Sequence, residues 1–257
     1  MTLSHDVAGD GPVVVLLHSS VCDRRMWEPQ WRALAGSGYR TVRCDFRGYG
    51  DTPAPDLPHR DADDVLDLLD ALGAREAALV GASYGGRVAL EAAARHSGRV
   101  TAVALLCAAV PGHEPSAALR AFDEREEALL EAGDLAGAVE LNVTTWLGPA
   151  ADEAARRRVR DMQRHAFEVQ SAAPEVAPVD PGPPDLAAVR APCLAVSGAH
   201  DLPDFREAAA RLAVQLPDAR HVELDWAGHL PGLERPSEVT ALLTGFLGRA
   251  LKGVPSP

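Results

Sequence analysis

The chain has 257 residues, 47% of them apolar and 24% charged. A globular chain of that length buries about three quarters of its unfolded surface, and this composition excludes a disordered, collagen-like or fibrous protein. Twenty-five basic against 37 acidic side chains give a net charge of −12, which repels phosphate backbones and anionic lipid and so argues against nucleic acid or a membrane surface as a partner.

A continuous aliphatic run at 13–17 (VVVLL) reads as a strand buried on both faces, as in a parallel sheet. A second strand is predicted at 39–44. A helix follows over 61–72, with Val65, Leu68, Leu69 and Leu72 at helical spacing. A third strand at 77–80 leads through GASYGG into a helix over 84–96, and a fourth occupies 100–106. The rhythm then breaks. The stretch 111–186 offers no strand but three helical patterns, at 116–131, 134–146 and 152–169, punctuated by Gly133, Gly148 and Pro149. Its basic run 154–160 (AARRRVR) reads as a solvated face whose arginines pair with nearby acids. It runs into APEVAPVDPGPPD, five prolines in thirteen residues, a stiff connector. Strands at 193–197 and 220–224, with helices over 204–215 and 238–251, complete the chain. The alternation predicts an α/β protein with a mostly parallel, doubly wound sheet built from 1–110 and 187–257, and 111–186 as a helical insertion between two strands.

Cys22, Cys44, Cys107 and Cys193 are far apart and form no C-x-x-C. They read as small buried hydrophobes in a reducing compartment, not as zinc ligands or disulfides. The first residues, MTLSHDVAGDG, lack a basic region followed by an apolar one, and the longest apolar stretch (102–110) is about half of a bilayer span. A cytoplasmic protein is expected.

The sharpest signal is Gly81-Ala82-Ser83-Tyr84-Gly85-Gly86, between a strand and a helix. In that setting G-x-S-x-G is a nucleophile elbow: small neighbours allow a turn tight enough to push Ser83 outward, at a helix N-terminus that favours negative charge. A serine hydroxyl needs a base and an orienter, and elbow enzymes supply them in the order serine, acid, histidine. The base is His229, in the loop after the last strand, at the carboxyl edge where sites of open α/β sheets form. His221, inside that strand, reads as structural. The acid is Asp201, after the strand at 193–197. Asp204 begins a helix, Asp180 lies in the proline connector, and Asp225 is too near His229 in sequence. His200 reads as a surface histidine. The backbone N–H groups of Tyr84 and Ser20 are the expected oxyanion hole, with His18 holding the loop that carries Ser20. No H-E-x-x-H, P-loop lysine motif or G-x-G-x-x-G after a strand occurs, so neither a metal nor an organic cofactor is expected.

In LLHSS, CDFRGYGDT, GASYGG and the pair SGAHD with AGHLPGLERP, the chain resembles the α/β-hydrolase superfamily over nearly its whole length. It is most similar there to small bacterial serine hydrolases of the 3-oxoadipate enol-lactonase, carboxylesterase and cofactor-free haloperoxidase type. The resemblance implies a helical cap over the site, which fits 111–186, and makes 45–50 a structural turn. Serine rather than aspartate at position 83 counts against the epoxide hydrolase and haloalkane dehalogenase branches. His18-Ser19 stands where relatives usually have His-Gly, so the loop is expected either to carry strain at Ser19 or to take a different shape. The activity implied is hydrolysis of a carboxylic ester, lactone or thioester of a small, largely apolar molecule. Carbon–carbon bond hydrolysis of a β-diketone-like substrate is the alternative reaction, and a lyase or small-molecule receptor the alternative role. Met26, Trp27, Phe122 and Trp146 are the expected substrate contacts, with Met162 and Phe167 as further walls. His113 and His165 are candidate polar contacts. A strand edge or cap surface would allow a homo-oligomer, though no residue requires one.

Overall fold

The computed structural model describes residues 2–173, 176, 179 and 182–251, so much of the proline connector, Asp180 included, lies outside the described residues. Seven strands form one sheet: β1 (His5–Ala8), β2 (Val13–Leu17), β3 (Arg40–Cys44), β4 (Ala77–Ala82), β5 (Val100–Leu106), β6 (Cys193–Gly198) and β7 (Ala219–Leu224). The helices, in chain order, are α1 (Glu28–Gly36), α2 (Asp61–Ala71), α3 (Tyr84–Arg95), α4 (Ala117–Glu131), α5 (Leu135–Trp146), α6 (Glu153–Ser171), α7 (Pro203–Gln215), the single turn α8 (Pro231–Glu234) and α9 (Pro236–Ala250).

The central strands are apolar on both faces. Val14, Leu16, Val80, Ala104 and Val196 join the core on one side of the sheet. Val15, Leu17, Leu79, Leu105 and Ala195 join the core on the other. Two-sided burial is why these strands appear as unbroken apolar runs. The first core is closed by Leu34 of α1 and Leu243 and Leu247 of α9, the second by Val65 and Leu69 of α2 and Val88 of α3. The sheet order is β1-β3-β2-β4-β5-β6-β7. β1 pairs antiparallel with β3, and the other pairings are parallel. From β2 the chain goes outward to β3 and then crosses to β4 on the opposite side. The carboxyl ends of β2 and β4 therefore flank a topological switch point, where a crevice opens.

α4, α5 and α6 follow one another between β5 and β6. Each starts one residue after the predicted position, because the predicted first residue is the cap. Ser116, Asp134 and Asp152 accept from the N–H groups of Leu119, Gly137 and Ala155, each such cap being worth about 1 kcal/mol. Of the basic run, Arg160 pairs with Glu140 and Glu153, as expected. The four cysteines are free and buried. Among the described residues no helix is long and apolar enough to cross a membrane.

Three elements lie outside the predicted set: β1, α1 and the single turn α8, which at four residues is too short to show a period. β1 is a four-residue edge strand whose aliphatic Val7 is 39% exposed, so burial leaves no alternating pattern to read. α1 is nine residues long and opens on Glu28-Pro29, which resembles the end of a loop as much as the start of a helix.

Candidate active site

Ser83 follows β4 and caps α3 with φ 50° and ψ −112°, a conformation that costs a non-glycine residue about 1–3 kcal/mol. Backbone bonds hold it there. Its N–H donates to Leu106 O at 2.9 Å, and its carbonyl accepts from Arg87 and Ala109 N–H, both at 3.1 Å. The flanking glycines are required by close approach. A Cβ on Gly81 would lie 2.2 Å from Gly85 O, and one on Gly85 would lie 2.3 Å from Leu17 O. Tyr84 is the first residue of α3, so its N–H has no partner within the helix. Its hydroxyl donates to Asp61.

His229 and Asp201 come from loops after β7 and β6 and meet at 2.8 Å through Nδ1 and Oδ2. The other carboxylate oxygen accepts from Leu202 N–H at 2.7 Å. A carboxylate can only accept, so Nδ1 carries the hydrogen and Nε2 keeps its lone pair. The imidazole is packed between Phe205 and Trp146, with ring centroids 4.2 and 4.6 Å away. Its backbone N–H donates to Trp146 O at 3.0 Å, tying the loop to the end of α5. Glu234 accepts from Gly228 N–H with both oxygens, and burial pushes its carboxyl above the usual range. Gly148, Gly198 and Gly228 make this junction possible: a Cβ on Gly198 would lie 2.1 Å from Gly228 O, and one on Gly148 2.4 Å from Gly228 N.

Ser83 and His229 line one cavity of about 310 Å³. Among the hydrogen bonds of the described residues none joins them directly; such contacts are often long before substrate binds. The rival residues are engaged elsewhere. Asp204 accepts from the backbone and hydroxyl of Ser116 and contacts His113. His221 bonds Ser197 Oγ at 2.8 Å, and Asp225 and His200 are exposed.

The loop after β2 carries no strain at Ser19. Among the described non-glycine residues, Ser83 and Cys107 are those with positive φ. The loop instead closes a turn in which Ser19 O accepts from Cys22 N–H at 3.0 Å, with Ser20 exposed at its tip. His18 donates from Nδ1 to Ser19 O at 2.8 Å and accepts Phe46 N–H on Nε2 at 3.0 Å. Burial holds its pKa below the ordinary range, so it serves as a neutral brace for the loop. Ser20 and Tyr84 both border the cavity.

The expected substrate contacts divide. Phe122, Trp146 and Phe167 line the cavity, whereas Met26, Trp27 and Met162 do not. Trp27 is fully buried in the core beneath α1 and α9. Met26 is buried with its sulfur against Ser19 N–H at 3.4 Å. Apolar residues beside the loop had the composition of a pocket wall but fill the sheet's own core. His113 and His165 are also absent from the cavity; His165 contacts Gly50 O. Nor are the walls largely apolar, since Tyr49, Asp123, Glu126, Asn142, Gln163 and Gln170 join them. Asn142, the one polar residue on the buried face of α5 between Val139, Val143 and Trp146, is a readable signal for that polar side. Phe205, missed as well, follows Asp201 by four residues.

Among the described residues two groups have ligand atoms within 4.8 Å of one another, as a metal would require: Cys107 with Asp201 and His229, and His59 with Asp61 and Asp64. Their carboxylates are already engaged, while His59 Nδ1 is buried without a hydrogen-bond partner. In the first, Nδ1 and Oδ2 bind each other, and burial pushes the Cys107 thiol well up. In the second, Asp64 pairs with Arg47 at 2.6 Å and Asp61 accepts the Tyr84 hydroxyl.

The profile described as "Alpha/beta hydrolase family" matches residues 14–242. The putative carbamate hydrolase RutD of Variovorax paradoxus is 32% identical over 273 aligned positions, spanning 100% of both chains. The 3-oxoadipate enol-lactonase 1 of Acinetobacter baylyi is 28% identical, over 96% of this chain and 93% of its own. The crystal structure of the enol-lactonase from Burkholderia xenovorans matches with a TM-score of 0.79 at 27% identity, covering 96% of each chain.

Proposed function

The chain belongs to the alpha/beta hydrolase family, and from that premise we propose that it hydrolyses a carboxylic ester, lactone or thioester of a small molecule through Ser83, His229 and Asp201. Ser83 Oγ attacks the carbonyl carbon while His229 Nε2 takes its proton. Asp201 fixes the imidazole tautomer and stabilises the imidazolium. The Tyr84 and Ser20 N–H groups receive the oxyanion, each such donor being worth about 10²–10³ in rate. Nε2 then returns the proton to the leaving group, activates water, and the acyl-enzyme is cleared. The helices of 111–186 act as the cap that encloses the acyl or leaving group.

The observation that carries this reading is the 2.8 Å His229–Asp201 pair, whose His229 lines one cavity with a serine held in the left-handed region. The names of two relatives, a putative carbamate hydrolase and an enol-lactonase, fit the same reaction class. The test is intact-mass labelling with a fluorophosphonate. One adduct is expected, absent in Ser83→Ala and strongly slowed in His229→Ala. A folded wild-type protein that takes no adduct, or takes it equally in Ser83→Ala, refutes the assignment.

A further inference from the structure

The cavity has a side that acyl transfer does not use. Asp123 and Glu126, one turn apart on α4, both line it, as does Gln163 of α6. Neither carboxylate has a salt-bridge partner among the described residues, and no arginine or lysine lines the cavity. Burial pushes Glu126 above the ordinary carboxyl range, partly offset by the Asn142 amide that donates to it. Burial and the neighbouring Asp204 push Asp123 up as well. Among the described residues neither carboxyl thus has a cation beside it, and the Asn142 amide alone is seen to offset the charge of Glu126.

Gln163 supplies a second, independent sign. It is 3% exposed, its Oε1 is buried without a hydrogen-bond partner, and neither end of its amide is bonded among the described residues. A buried amide left unbonded is destabilising, and a ligand with N–H groups removes that cost. Aromatic rings complete the surroundings. Phe122 and Trp146 meet edge to face at 4.7 Å, and Trp146 Nε1–H is held at 2.8 Å by Asn142, the residue that also bonds Glu126. Carboxylates, an amide oxygen and aromatic faces together suit an organic ammonium, which each of them attracts. The same carboxylates repel an anionic acyl group.

We propose that Asp123, Glu126 and Gln163 form a cation subsite in the cavity of Ser83 and His229, and that the substrate carries a protonated amine at the end remote from the scissile carbonyl. This rests on the hydrolase reading above, and the test separates the two. Phenyl 6-aminohexanoate, phenyl heptanoate and monophenyl adipate are matched in length and differ in terminal charge. The ammonium ester should show the highest kcat/KM, by about tenfold or more. Glu126→Gln and Asp123→Asn should each collapse that preference, and Asp123 is exposed enough for its variant to fold. Equal rates for the three esters, preference for the adipate, or a preference unchanged in both variants overturns the subsite. Calorimetry with hexylammonium, hexan-1-ol and hexanoate reads binding without turnover. If no ester is cleaved yet hexylammonium alone binds and the variants lose it, the hydrolase reading falls and the subsite stands. No cleavage and no selective binding refutes the subsite.

Discussion

One wall of the cavity is held by backbone and the other by side chains. Ser83, the His18–Ser20 loop and His229 sit at the ends of β4, β2 and β7. They are fixed by carbonyl and amide bonds and by glycines with no room for a Cβ. Facing them, Glu126, Asn142 and Trp146 hold one another in a chain of side-chain hydrogen bonds on α4 and α5, and no residue of α4 is fully buried. Backbone geometry cannot drift without losing the fold, whereas a side-chain network can be rewritten one residue at a time. The first wall suits an invariant chemical step and the second suits selectivity.

Several variants would break or sharpen this contrast. Asp201→Asn should leave the fold intact and lower kcat by about 10³–10⁴-fold, through loss of the correct imidazole tautomer. Steady-state rates that stay within tenfold of wild type would remove the chemistry from the sheet wall. Gly85→Ala forces a methyl to within 2.3 Å of Leu17 O and should cost about 3 kcal/mol in urea unfolding. A smaller loss would mean that the elbow is less tightly fixed than its contacts imply.

On the helical wall, Asn142→Leu deletes the acceptor of Trp146 Nε1–H and the donor to Glu126. Saturation kinetics should show about a tenfold change, carried more by KM than by kcat. A collapse of kcat instead would make the two walls one device. The smallest effect concerns pH. The folded pKa of His18 lies below its ordinary 6.5, so between the two values the unfolded chain binds a proton that the folded chain does not. Its contribution is complete above about pH 6.5 and declines as pH falls below that. Denaturant titrations of wild type and His18→Asn should show this slope in the former only.

The contrast also explains what could be read in advance. The two-sided runs of β2, β4, β5 and β6 and the glycines of GASYGG leave strong local marks, because buried strands and tight turns admit few residues. The order of Ser83, Asp201 and His229 follows from the strand ends. The helical wall leaves no such mark. Glu126 and Gln163 occupy positions where a polar residue is equally at home in solvent, and their convergence depends on how α4 and α6 pack. Trp27 misled for the converse reason, since an indole beside a site loop has the same composition whether it lines a pocket or fills the core below.

The hydrogen bond from His229 N–H to Trp146 O, with Gly148 seated against Gly228, limits how this enzyme can be re-engineered. Exchanging α4–α6 for the helices of a relative would replace the carbonyl that anchors the histidine loop, together with the glycine that lets the two segments touch. A chimera joined after Gly148 would inherit a foreign helical wall and a loosened His229 in the same step. One that exchanges α4 and α6 while retaining 142–148 would keep the anchor, so the junctions of a productive swap lie inside the helical segment and not at its boundaries with the sheet.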